Sequence, residues 1–135
     1  MVSVESFLAA HIGKPYDRTG LHCWELTRLS QAQIFGRPLP IVLSVPESKR
    51  ELIALMAGRD EAGDWRQVAE PEHGAVVFMT RRGHGPSRAA VHCGTWLALD
   101  GGGVLHTDEE HGVVFDSLLE LSARNWASPS FYVPA

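Results

Sequence analysis

Only two cysteines occur among the 135 residues, Cys23 and Cys93, far apart in the chain. That is too few for the disulfide framework on which small secreted domains rely. A Cys23–Cys93 bridge is possible in principle, but one reduced nucleophile and one structural thiol is the preferred reading. No stretch approaches the roughly 20 consecutive apolar residues that a membrane span needs, so membrane insertion is not expected. The N-terminal MVSVESFLAAHIGKPY has neither a charged leader nor a long apolar run. No signal peptide is therefore expected, and the protein is expected to be made in the cytoplasm. Basic residues are not in excess: 12 Lys and Arg face 16 Asp and Glu, for a formal charge of −4. Nothing general in that balance calls for nucleic acid, and Arg81, Arg82 and Arg88 read as a solvated basic loop. Repeats, low-complexity tracts and obvious linkers are also missing. With 44% hydrophobic and 21% charged residues, the chain reads as one globular domain over residues 1–135.

The first half has helical periodicity. A short helix is expected over Val4–Ile12. A second, over about Cys23–Phe35, puts Cys23, Leu26, Ser30 and Ile34 in one sector and is stopped by Gly36, Pro38 and Pro40. Ser44–Gly58 reads as a third, capped by Ser44 and closed by Gly58. Arg59–His73 reads as a polar connection. From Ala75 onward the period changes to two. Ala75–Thr80, Ala89–Leu99, Gly103–Thr107, Gly112–Asp116 and Ser130–Val133 are short, branched or aromatic, and bounded by Gly, Asp or Pro. Asp100-Gly101-Gly102-Gly103 marks a hairpin. Helices first and an antiparallel meander second predict an α+β domain.

Cys23 stands where a Gly/Pro-punctuated loop gives way to a helix. The unpaired N–H groups and positive dipole end of a helix N-terminus favour thiolate over thiol. Strand alternation places His92, Gly94, Trp96 and Ala98 on one face and Cys93, with Val91, Thr95, Leu97 and Leu99, on the other. Cys93 is thus expected in the core, and Gly94 leaves room for a helix or substrate to approach. His106 lies on the return strand of the hairpin, and a three-residue loop would bring it to the His92 face. Cys23, His92 and His106 then read as nucleophile, base and orienter. The backbone N–H of Cys23 and the Tyr16 hydroxyl are candidate oxyanion donors, and Trp96 a candidate cleft wall.

The strings GKPYDRTGLHCW, HGAVVF and HCGTWLALDGGGVLH resemble the NlpC-type cysteine peptidases, papain-like cell-wall endopeptidases, and the likeness spans nearly the whole chain. CWELTRL, GRPLP, GVVFDSL and NWASPSFYVP are most similar to the bacteriophage and prophage tail branch. The resemblance implies a papain-like NlpC-type fold with Cys23 as nucleophile, His92 as base, His106 as third polar residue and Tyr16 on the oxyanion side. It implies no cofactor and no metal. The implied substrate is an amide of the peptidoglycan stem peptide, usually the γ-D-glutamyl–diaminopimelate bond. The implied setting is a virion tail tip, among other tail proteins, acting on the bacterial wall.

The chain departs from the family pattern at His22, where Asp is usual, at Glu25, where Gly is usual, at Ala75 and at Cys93. Glu25 is expected to bring negative charge toward the thiol and raise its pKa, and a protonated His22 to offset this. Those departures motivate a rival reading, a structural tail component with a decayed site. A secreted amidase effector is the nearest enzymatic rival. A zinc module built on His22-Cys23 and His92-Cys93 is disfavoured because neighbouring side chains point apart. His11, His73 and His84 read as surface or loop residues, and Asp108 and Glu109 as a solvated turn.

Overall fold

The computed structural model describes residues 1–42, 50–51, 54, 65–82 and 91–135. Helix α1 (Val4–His11) is capped by Ser3, whose hydroxyl accepts from the Ser6 N–H, and buries Phe7. Helix α2 (Cys23–Phe35) ends at Gly36, whose left-handed φ of 68° lets the Gly36 and Arg37 N–H groups return to Ala32 and Gln31 carbonyls. Among the described residues six strands follow: β1 (Trp65–Val68), β2 (Val76–Arg81), β3 (Val91–Leu97), β4 (Gly103–Asp108), β5 (Gly112–Asp116) and β6 (Trp126–Pro134). A short helix α3 (Leu118–Ala123) sits between β5 and β6, opened by a Ser117–Glu120 capping box. Among the described residues no helix is long and apolar enough to cross a membrane.

The sheet is antiparallel in every pairing, in the order β1-β6-β2-β3-β4-β5. The α+β class is as expected, but the simple meander holds only for β2 to β5. The last strand returns to lie between β1 and β2, and β1 falls inside the expected polar connection. Its Trp65-Arg66-Gln67-Val68 has intermediate ends and an exposed middle, because a strand at the sheet edge needs little apolar surface. α3 went unpredicted, since six residues carry too little periodicity to register. The helix expected over Ser44–Gly58 lies outside the described residues apart from positions 50, 51 and 54, which are helical.

Alternation along the strands builds a core on each face of the sheet. Val76, Phe78 and Cys93 pack with Cys23, Trp24 and Leu39 on the α2 side, and Phe7, Leu26, Leu97 and Leu105 form a second cluster between helices and sheet. Val77, Met79, Trp96 and Val104 pack with Leu121, Trp126 and Phe131 on the opposite side, under α3. The α2 face is unusually polar for a core helix: Thr27, Ser30 and Gln31 are wholly buried. Each is satisfied. Ser30 Oγ lies 2.7 Å from Thr95 Oγ1, and Gln31 Nε2 donates to the Gly74 carbonyl at 2.9 Å. These bonds fix the rotation of α2 on β3 and so the position of its first residue.

Candidate active site

Cys23 is the first residue of α2. His22, in extended conformation, caps the helix, its Nδ1 accepting from the Glu25 N–H at 3.3 Å. The cap takes the third N–H, while that of Cys23, at the first helical position, has no intrahelical acceptor. Glu25 does not approach the thiol as expected. Both its oxygens accept from Arg28, at 2.8 and 2.7 Å, and the side chain lines a separate hollow with Leu29 and Ile41.

Strand β3 carries His92 to this helix end, where it lines the same cleft as Cys23 and lowers the proton affinity of the thiol. His92 Nε2 lies 2.8 Å from His106 Nδ1, and His106 Nε2 lies 2.8 Å from Asp116 Oδ2. With Nε2 engaged, Nδ1 is the His92 nitrogen left for the thiol. Asp116 is held in turn by Arg124, whose Nε stands 2.8 Å from Oδ2 at the end of α3. Trp126 stacks on His92 at 4.3 Å and 15°, and the Arg81 guanidinium lies 4.2 Å from the centroid of the Trp126 ring.

Tyr16, Cys23, His92, Thr107, Asp108 and Trp126 share one cleft of about 360 Å³, with Arg18, Arg81, Glu109 and Glu110 at its charged edges. Arg18 and Glu109 form an exposed ion pair of 3.3 Å there. Asp108 is not a solvated turn residue: Oδ1 accepts from the N–H groups of Glu110 and His111, and Oδ2 from Trp126 Nε1. Among the described residues Thr107 Oγ1 is buried without a hydrogen-bond partner.

Proton affinities are displaced in a consistent direction. Cys23 is held well below the ordinary thiol range. The hydrogen bond with Cys93 contributes most, burial opposes it, and the hydrogen bond and charge of His92 and the charge of His22 add to the lowering. Tyr16 is pushed up to about 12, by burial first and then by the charges of Cys23 and Glu109. Its hydroxyl therefore keeps its proton and can donate. Burial pushes His106 down against the opposing pull of Asp116. Burial would raise Asp116, but the hydrogen bonds and charges of His106 and Arg124 outweigh it and leave the carboxylate ionised.

One proton arrangement satisfies the whole line. An ionised Asp116 accepts only, so His106 Nε2 carries a proton and Nδ1 does not. Nδ1 must then accept from His92 Nε2, which leaves His92 Nδ1 with a free lone pair toward the thiol. That nitrogen can take the Cys23 proton, giving a thiolate–imidazolium pair.

Of the residues singled out in the sequence, Cys23, His92, His106 and Tyr16 come together. Trp96 shares the His92 face but sits in the core, edge-on to Phe131 at 5.8 Å, and is not among the residues lining the cleft. Trp126 occupies the wall instead. Gly94 makes room neither for a helix nor for a substrate: a Cβ there would meet the Leu105 carbonyl oxygen at 2.5 Å and His106 Cβ at 3.1 Å. Asp116 and Arg124 were missed. Asp116 does carry a signal, as the one acid in an otherwise apolar β5 and on the same strand parity as Val114, the partner of His106. Among the described residues no group of three or more His, Cys, Asp and Glu side chains is disposed to hold a metal ion. The chain matches no protein-family model and no curated protein.

Proposed function

We propose that the protein is a thiol-dependent endopeptidase of papain-like, NlpC-type fold that hydrolyses a peptidoglycan stem-peptide amide, the γ-D-glutamyl–diaminopimelate bond first, from a phage tail tip. The observation carrying this reading is the unbroken line from Cys23 through His92 and His106 to Asp116 beside a cleft. In the reaction the Cys23 thiolate attacks the amide carbonyl carbon. The C–S bond forms as the carbonyl π pair moves to oxygen, and the oxyanion receives the Cys23 N–H and the Tyr16 hydroxyl. On collapse the C–N bond breaks and the His92 imidazolium protonates the leaving amine. Water, deprotonated by His92, then attacks the thioester, releasing the acid and the Cys23 thiolate.

Mass spectrometry of defined muropeptides, incubated with wild-type protein and with Cys23→Ala, tests the proposal. Loss of the D-glutamyl–diaminopimelate linkage with wild type alone is the expected result. Folded wild-type protein that cleaves no bond, or a Cys23→Ala variant that still cleaves, overturns it.

A further inference from the structure

Cys93 is the one thiol besides the nucleophile, and the reaction just described does not use it. It lies on the β3 face that receives α2, inside the same apolar cluster as Cys23, Trp24 and Phe78, and is wholly buried. Thr27 fixes its position relative to the helix start. The Thr27 hydroxyl donates to the Cys23 carbonyl at 2.8 Å and stands 3.4 Å from Cys93 Sγ. That hydroxyl also donates toward Cys93 Sγ, which leaves the Cys93 S–H itself uncommitted. The Cys93 S–H is thus a donor close to Cys23, in a cluster that also holds the Val76, Phe78, Leu39 and Trp24 side chains.

We propose that Cys93 is a positioning residue for the nucleophile: its S–H donates a hydrogen bond to Cys23 Sγ, holding the thiolate charged and aimed before substrate arrives. A negative sulfur in an apolar cluster loses its hydration, and fixed donors must replace it. His92 and the helix N-terminus supply some, and Cys93 supplies another from the opposite side. Burial, reinforced by the neighbouring Cys23, pushes the Cys93 thiol well above the ordinary range. It therefore keeps its proton when Cys23 has lost its own, and the two sulfurs divide into donor and acceptor. His92 from β3, His22 from the cap and Tyr16 from the preceding loop also face the thiol. The charged rim is formed by Arg18 with Glu109, by Arg81, and by Asp108 and Glu110.

The inference rests on Cys23 as the nucleophile proposed above. Its test is the pH profile of Cys23 alkylation by iodoacetamide in the presence of a reductant, read by mass spectrometry on the Cys23 peptide. Cys93→Ala is expected to displace the profile to higher pH, with alkylation about tenfold slower on the acid limb and the same alkaline plateau. Cys93→Ser, which keeps a donor, is expected to stay near wild type. Cys93→Val fills the site without a donor and answers the question if Cys93→Ala fails to fold. Superposable wild-type, Ala and Val profiles overturn the proposal. So does a Ser profile displaced as far as that of Ala. Because alkylation needs no peptide, an acid-shifted wild-type profile without muropeptide cleavage defeats the hydrolase reading alone.

Discussion

His106 and Asp116 meet across neighbouring strands, Nε2 to Oδ2 at 2.8 Å, with the imidazole wholly buried and the carboxylate 2% exposed. Val104 is the direct cross-strand partner of Asp116, so the carboxylate reaches His106 diagonally. The consequence is directional. An acceptor at the far end of the line dictates which nitrogen of each imidazole carries a proton, and so leaves His92 able to act as a base toward Cys23.

Asp116→Asn should therefore cripple the chemistry while leaving binding intact. An amide can donate to His106 Nε2, which reverses both tautomers and puts a proton on the His92 nitrogen that should receive one. A fall in kcat of roughly 10²-fold or more is expected, with KM little changed. Removing the charge also leaves Arg124 facing a neutral amide, at a cost of about 1–3 kcal/mol in stability. Steady-state kinetics on a muropeptide, with a thermal melt, checks both. Undiminished kcat would remove Asp116 from the site.

Acid should destabilise the fold in two stages. His106 has a folded pKa below its unfolded value of about 6.5. Its contribution is thus full above about pH 6.5 and declines as the unfolded chain takes up the proton first. Asp116 and Asp108 are also lowered in the fold, both by hydrogen bonds and neighbouring charge that outweigh burial. Their contribution is full above about pH 4 and is lost at lower pH. Melting temperatures measured from pH 8 to 3 should show both limbs. His106→Gln should flatten the upper one, and Asp116→Asn should reduce the lower one.

Gly94→Ala should damage stability and activity together. The added methyl would press on the Leu105 carbonyl and Val104 Cγ1, both at 2.5 Å, and crowd His106. A loss of about 1–3 kcal/mol is expected from overpacking, and His106 must shift with its strand. Gly101→Ala is the control. A Cβ there meets nothing within 4 Å, and only the left-handed φ of 85° opposes it. About 1 kcal/mol with unchanged turnover is expected. Equal effects of the two substitutions on turnover would mean that the Gly94 approach does not position His106.

The sequence by itself determined the local features. Helix α2 begins at Cys23 because a loop rich in Gly and Pro ends there, and stops at Gly36 because a left-handed residue is needed. Period-two alternation put His92 on one face of β3 and Cys93 on the other. Each of these depends on neighbours a few residues away, which spacing records. The return of His106 to the His92 face rests instead on a strand register, Thr95 opposite Leu105 and Leu97 opposite Gly103, that the sequence left open. The tertiary structure alone decided what meets across the fold. The buried face of α2 is polar, so apolar periodicity could not reveal that Thr27, Ser30 and Gln31 lock it to β3. Asp116 becomes the end of the line only because β5 pairs with β4 in one register. Trp126 displaces Trp96 from the cleft wall only because β6 returns beside β2 and brings its first residue over His92. Cys93, expected in the core, shares a cluster with Cys23 because α2 packs on that side of the sheet. Such contacts join residues far apart in the chain, and their geometry is set by packing, which no local pattern encodes.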